Sequence, residues 1–348
     1  MTQGRSRETY PGFMTSPHAL NLPPVADLLD TVRVVGLPMR VKFRGITVRE
    51  TAIFHGPAGW GEFGPFPEYG DAEAAQWLRA GIEAAWQGFP DPVRSSIPVN
   101  ATVPAVPADR VADVLAGYGG AVPAVKIKVA ERGQSLADDV ARVAAVRDLL
   151  PGAELRVDAN MGWDEEQAVA ALTELAAFDL EYAEQPVATI EGLAAVRQRL
   201  RDKSIDLKIA ADESVRKAED PLAVARAGAA DLIIVKVAPL GGVRRALELV
   251  RDAGLPAVVS SAIDSSVGIR AGVALAAALP ELPYACGLGT LSLMAADVTR
   301  KSLKPQEGHI PVRDAAVDQD LLAEFAVTGE RRDWWLDRIR RTHAVLAG

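Results

Sequence analysis

Five ionisable residues close five apolar runs: Lys128 in "AVKIK", Asp158 in "ELRVD", Glu184 in "LEYAE", Asp212 in "KIAAD" and Lys236 in "LIIVK". They follow one another at intervals of 30, 26, 28 and 24 residues, each close to the length of one strand plus one helix. Three carboxylates brought together repel unless they are protonated or share a cation. All-oxygen ligation suits a hard divalent ion, Mg2+ or Mn2+, and the lack of a nearby His or Cys argues against zinc. Any one of these acids could instead cap the helix that follows it; three in register favour a metal. Lys126 and Lys128 lie two apart in a strand-like run and so share a face. Such a pair is either a solvated face or the edge of a site, where crowding lowers a lysine pKa and creates a general base. Beside three acids and opposite Lys236, the second reading gains. A carboxylate substrate chelated to a metal has an acidified α-proton, because the charge of the resulting enediolate falls on oxygens next to the cation. Lys128 is then the base, Lys126 the neighbouring cation that tunes it, and Lys236 the amine on the far side.

The elements that must carry these residues recur from about residue 97 onward. Short Val/Ile/Ala-rich runs at 97–103, 124–130, 154–160, 180–186, 206–214, 231–239, 256–264 and 284–290 read as strands. Segments 135–150, 164–177, 189–201 and 242–253 between them have helical periodicity. Eight strands alternating with helices predict a parallel, closed barrel, and such barrels present their chemistry at the C-terminal ends of the strands. A doubly wound open sheet is disfavoured, since no glycine-rich phosphate turn follows the first strand. Residues 31–64 read instead as antiparallel strands with glycine turns, followed by helix to about residue 88. The fold expected is thus a (β/α)7β-type TIM barrel with an α+β capping domain. The domains run as a loose extension over 1–20, a cap over 21–95 completed by 296–348, and a barrel over 96–295. "HIPVRDAAV", after residue 295, is expected to return to the cap, and "GWGEFGPFPEYGD" to cover the barrel mouth. Trp334 and Trp335 read as packing residues.

A formal charge of −8, with no basic cluster to offset it, excludes nucleic acid as a natural partner and leaves a small carboxylate substrate dependent on local cations. The single cysteine, Cys286, rules out an internal disulfide framework and a cysteine zinc site. No run resembles a signal peptide or a membrane span, so the cytoplasm is the expected compartment and no membrane the expected partner. The sequence does not fix an oligomeric state. His18, His55, His309 and His343 all fall outside the predicted barrel core.

"KIK", "DAN", "EQP", "DES" and "IIVK", in this order and spacing, resemble the enolase superfamily, specifically its muconate-lactonizing subgroup, over roughly residues 35 to 312. Within that subgroup "GWGEFGPFP" (59–67), "LRVDANMGW" (155–163), "VVSSAIDSSVG" (258–268) and "GLGTLSLMAADV" (287–298) are similar to the o-succinylbenzoate synthase family. The resemblance implies a lyase of menaquinone biosynthesis. In it, Lys128 removes the α-proton of 2-succinyl-6-hydroxy-2,4-cyclohexadiene-1-carboxylate and then, protonated, helps expel the hydroxyl from the same face, while Lys236 stabilises the enediolate. It further implies that Arg156 and Asn160, of an R-x-D-x-N pattern, contact substrate or brace the site, with Glu213 of "DES" supporting. Ser260, Ser261 and Ser265, with backbone around Gly287 and Gly289, would surround the succinyl tail. One departure is the short segment from Pro38 to Gly45, where many relatives carry a longer closing loop. The "GLGTLSL" run lacks the Asp-x-Asp of dipeptide epimerases, and "VVSSAIDSS" lacks the His of mandelate-type enzymes. An N-acylamino acid racemase is the alternative, because a lysine on each side of an enediolate also racemises a stereocentre. A noncatalytic barrel gives no reason for five ionisable groups to meet at one rim.

Overall fold

The computed structural model describes residues 20–43, 45–215 and 220–348. The extension expected over residues 1–20, with His18 in it, falls outside the described residues except for Leu20. The chain opens with α1 (Val25–Thr31) and an antiparallel meander of β1 (Arg33–Phe43), β2 (Ile46–Gly56) and β3 (Gly59–Phe63), followed by α2 (Asp71–Ile82) and a π-helical turn over Glu83–Gln87. In β2 the consecutive residues Ala52, Ile53 and Phe54 are fully buried, so this part of the sheet is covered on both faces.

The barrel then begins with β4 (Ser96–Pro98) and β5 (Ala101–Val103), the latter leading to α3 (Val111–Ala116). It continues as β6 (Ala124–Lys128), α4 (Leu136–Leu149), β7 (Glu154–Asp158), α5 (Glu165–Leu175), β8 (Leu180–Glu184) and α6 (Ile190–Asp202). Next come β9 (Lys208–Ala211), α7 (Asp220–Arg226), β10 (Leu232–Lys236), the short α8 (Val237–Leu240), α9 (Val243–Ala253), β11 (Ala257–Ser260) and α10 (Ser266–Ala278). The helices start where their caps dictate. Ser135 with Asp138 and Asp164 with Gln167 form reciprocal capping boxes at α4 and α5, and Thr189 caps α6.

Strands β5 to β11 form one parallel sheet in sequence order. Closure falls to the segment after α10: Cys286 bridges Val99 on one side, and Gly287 bridges Ser260 on the other. The eighth strand expected over 284–290 is therefore reduced to these two bridges. Beyond them the glycine-rich run, poor in strand preference, winds into a 3-10 turn at Gly289–Leu293. The first predicted strand, 97–103, is also interrupted, pairing as β5 with β6 but as β4 with β12 (His309–Pro311). This corrects the reading of "HIPVRDAAV": it adds an antiparallel strand at the start of the barrel and does not return to the N-terminal sheet. The return is made by α11 (Gln319–Glu324) and α12 (Gly329–Ala347), with α12 lying along α2 and α1. There the fully buried Trp335 meets Phe63 edge to face at 5.9 Å. Glu83, nearly fully buried, reaches from the π turn to the N-terminus of α9, accepting from Val243 N at 2.5 Å and Arg244 N at 3.1 Å. Among the described residues no helix is long and apolar enough to cross a membrane.

Candidate active site

Parallel pairing puts Lys128 opposite Asp158 and Asp158 opposite Glu184, so three of the five predicted residues stand side by side on β6, β7 and β8. Asp212 follows the last residue of β9, and Lys236 ends β10. All five face the same end of the barrel. The three acids are buried, at 1%, 1% and 3% exposure for Asp158, Glu184 and Asp212. Lys126 Nζ lies 2.9 and 3.1 Å from the two oxygens of Glu184 and 3.0 Å from Asp158 Oδ2. Lys128 Nζ reaches the same Asp158 oxygen at 2.5 Å and Asn160 Oδ1 at 2.5 Å, and Lys236 pairs with Asp212. The like charges of the lysine pair are thus separated by a shared anion.

Burial disfavours the charge on Lys126, but Asp158 and Glu184 more than compensate and hold its pKa well above the ordinary lysine value. Burial also opposes ionisation of Asp158, and the ammonium groups of Lys126 and Lys128 overcome it, keeping this carboxyl far below the usual range. Glu184 goes the other way. Burial, then Asp158 and Asp212, push it up to about 8 despite Lys126.

Two turns fix the rim. Asn160, in the left-handed region at φ 44°, donates its backbone N–H to Asp158 Oδ1 at 3.1 Å and its side-chain N–H to Glu213 Oε1 at 3.1 Å. Gln185, fully buried and next to Glu184, accepts from Asp212 N at 2.9 Å and Ser214 N at 3.2 Å, so it sets the turn that carries Asp212. It sat in the quoted "EQP", where its amide next to a ligand candidate was the available signal.

Above the rim opens a cavity. Lys126, Lys128, Asp158, Asn160, Asp212 and Lys236 lie at its base, and Ser260, Ser261, Ala262, Ile263, Gly287 and Thr290 form one wall. Ser261 Oγ donates to Gly287 O at 3.0 Å and lies 2.8 Å from Thr290 Oγ1, tying the loop after β11 to the closing segment. The opposite wall comes from β1, the loop between β3 and α2, and α2 itself: Phe43, then Phe66 and Tyr69, then Trp77. Phe43, at the tip of the short hairpin, puts its ring 5.6 Å from Lys128 Nζ. Trp77 is buried, and its indole N–H has no partner among the described residues. Phe66 and Tyr69 belong to "GWGEFGPFPEYGD", which was expected over the mouth, whereas the sequence reading missed Phe43 and Trp77, whose elements are far from the barrel motifs.

Two expected contacts are corrected, those of Ser265 and Gly289, and of the two roles expected for Arg156 the geometry has the bracing one. Arg156 does not line the cavity. It lies one layer deeper in the barrel, donating to Glu181 at 2.6 Å and Asn100 Oδ1 at 3.1 Å and stacking 4.9 Å from the Tyr182 ring, so it braces the barrel and touches no substrate space. Ser265 is fully buried as the N-cap of α10. Gly289 is buried at the start of the 3-10 turn, against the Asn100 carbonyl. Glu184 sits beneath the cavity lining, within reach of Lys126.

Among the described residues no three His, Cys, Asp or Glu side chains stand as a ready metal-holding group. The lysine ammoniums engage the oxygens through which the acids would converge. The donor set nonetheless fits a hard divalent cation. Three buried carboxylates are balanced here by Lys126, Lys128 and Lys236, and freeing Lys128 and Lys236 for proton transfer leaves the acids short of positive charge.

A family model described as "Enolase C-terminal domain-like" matches residues 108–316, and one described as "Enolase N-terminal domain-like" matches residues 34–85. The chain is 55% identical to a curated protein of Mycolicibacterium smegmatis named o-succinylbenzoate synthase, over 93% of this chain and 99% of that one. It is 53% identical to a protein of the same name from Mycobacterium leprae, over 93% and 95%. Among solved structures it resembles muconate lactonizing enzyme from Pseudomonas putida, with TM-score 0.70 and 21% identity, over 85% of this chain and 98% of that one. The enzyme from Pseudomonas fluorescens, complexed with muconolactone, gives TM-score 0.72 at 22% identity over 85% and 98%. At such identities the structural likeness speaks for the fold alone.

Proposed function

The chain belongs to the enolase superfamily, and from that membership we propose that it carries out the o-succinylbenzoate synthase reaction of menaquinone biosynthesis. It would remove water from 2-succinyl-6-hydroxy-2,4-cyclohexadiene-1-carboxylate to give o-succinylbenzoate. The observation that carries this is the placing of Lys128 and Lys236 at the base of one cavity beside three buried acids, in a chain 55% identical to a relative of that name.

Asp158, Glu184 and Asp212 would hold the metal, proposed as Mg2+ with Mn2+ as a substitute. When bound, the cation draws charge from the substrate carboxylate and acidifies the neighbouring C–H. Lys128, neutral and released from Asp158, takes the proton from C1, and the electron pair moves onto the carboxylate. The same Nζ then returns a proton to the hydroxyl leaving C6 on that face. The C1–H and C6–O bonds break, C1 and C6 become doubly bonded, and the ring is aromatic with one water lost. Lys236 remains a cation and stabilises the negative charge between the two steps. Lys126 stays with the acids. Ser260, Ser261 and Gly287 meet the succinyl arm, and Phe43, Phe66 and Tyr69 shed water from the reacting face. The buried Cys286, its thiol pushed up to about 12 by burial, takes no part, and the setting would be cytoplasmic.

The test is ultraviolet loss of the cyclohexadiene absorbance on adding enzyme and Mg2+. Turnover should vanish with chelator, return with Mg2+ and be absent in Lys128→Ala. Full turnover by metal-free protein overturns the mechanism. The facing lysines also suit an N-acylamino acid racemase, so N-acylamino acid in D2O is the parallel assay, and rapid α-deuteration of both enantiomers without dehydration would favour that reading.

A further inference from the structure

The loop after β11, residues 261–265, forms part of one wall of the cavity, and its backbone is strained. Ile263 adopts φ +61°, a left-handed conformation that a β-branched residue rarely takes. Such a conformation persists only when its surroundings over-determine it. Within the loop, Ala262 N donates to Asp264 Oδ2 at 3.0 Å. Ser261 is tied to the closing segment, and the anchors of Ile263 and of the loop's far end come from the N-terminal sheet. Arg49 on β2, 2% exposed, donates from Nε to the carbonyl of Ile263 at 3.0 Å. Its Nη2 bonds Gly64 O, and its guanidinium lies 4.6 Å from the Phe66 ring, which forms part of the opposite wall. Glu62 on β3 accepts at Oε2 from Ser265 Oγ at 2.5 Å and Gly268 N at 2.9 Å, and at Oε1 from Ser265 N at 3.4 Å. It thereby satisfies the first turn of α10, where the loop ends. Two glycines make room for this. A Cβ on Gly64 would stand 2.7 Å from Thr51 Oγ1 and 2.8 Å from Arg49 Nη2, and one on Gly268 would stand 2.6 Å from Asp264 Cβ and 3.0 Å from Glu62 Oε2. A glycine inside a helix ordinarily weakens it, so Gly268 fits here as clearance for the Asp264 side chain of the loop and for the Glu62 carboxylate together.

We infer that Arg49 and Glu62, neither of them in the barrel, are positioning residues that hold the seventh βα loop in the form that walls the cavity. By gripping Ile263 O and Phe66 together, Arg49 sets the distance between the two walls. Glu62 pins the loop's far end to α10. The functional consequence, a wall that orders the part of the substrate remote from the reacting carbon, rests on the o-succinylbenzoate synthase reading; the structural one does not.

Two measurements separate these. Hydrogen exchange of substrate-free protein is followed in a peptide spanning residues 258–268, with residues 124–130 as the internal reference. Arg49→Lys, Glu62→Ala and Gly268→Ala should each speed exchange there by about tenfold or more, leaving the reference unchanged. Glu62→Gln, which keeps an acceptor oxygen, should restore most of the protection. Circular dichroism melting shows whether each variant is folded, and Gly268→Ala serves if Glu62→Ala is not. In the dehydration assay the same variants should raise KM by about tenfold with kcat within about threefold. Ile263→Gly, able to hold φ +61° without help, should recover part of the KM lost in Arg49→Lys. Unchanged exchange in 258–268 overturns the inference. If exchange changes as expected while wild-type protein shows no dehydration, the positioning stands and the functional reading falls.

Discussion

Lys126 and Lys128 share a strand face yet have different partners: Lys126 spans Asp158 and Glu184, whereas Lys128 meets Asp158 and Asn160 at the rim. Replacing Lys126 with Met leaves two buried acids without their shared cation, and stability in urea should fall by about 3 kcal/mol or more. Replacing Lys128 with Ala removes a rim residue, so the loss should be in turnover, with a much smaller change in stability. Asp212→Asn should raise the Mg2+ concentration for half-maximal activity by more than about tenfold, read by titrating metal into stripped enzyme. Glu62 supplies a pH prediction. Burial and the nearby Asp264 push its carboxyl up to about 7, against Arg49 and the Ser265 hydrogen bonds. A carboxyl whose pKa is higher in the fold than in the unfolded chain binds an extra proton when folded. Its stabilising contribution is complete below the unfolded value and is lost as pH rises through the folded one. Stability should therefore carry a declining component between about pH 4.5 and 7, worth at most about 3 kcal/mol. Glu62→Gln should flatten that component in urea titrations at several pH values; an unaltered slope would remove Glu62 as its source.

Strands delivered the chemistry because their periodicity is readable. Residues at the ends of β6, β7 and β8 pair directly across the sheet, so spacing alone brought Lys128, Asp158 and Glu184 together. Helix starts were equally legible, since "SLAD" and "DEEQ" carry capping boxes in their residue types. Ser135→Ala should cost about 1 kcal/mol in thermal unfolding and leave kcat untouched, because α4 lies outside the cavity. Elements whose course depends on distant partners were not legible. The "VVSSAIDSSVG" run showed four serines near a site, but only packing against Glu62 made Ser265 a cap while Ser260 and Ser261 faced the cavity. Arg156, two residues before Asp158 and on the same strand face, lands a layer below it, where Glu181 and Tyr182 take its guanidinium.

At the scale of the molecule, the N-terminal sheet and α12 form a body that grips the barrel at the ends of β10 and β11 through Glu83 and Glu62. Trp335, fully buried against Phe63, secures α12 to this body. Trp335→Ala should cost about 3 to 5 kcal/mol in thermal unfolding, with metal affinity preserved in protein that remains folded. By itself the sequence determined the alternation of strands and helices, the five rim residues and the kind of cation they suit. These depend on local period and on charge, which neighbours along the chain already encode. Only the tertiary structure decided how short the closing strand is, which lysine serves the acids, and that Arg49, Glu62 and Phe43 shape a cavity they are far from in sequence. Such contacts follow from how two bodies dock, and docking is set by the summed fit of their surfaces, which no single run of residues records.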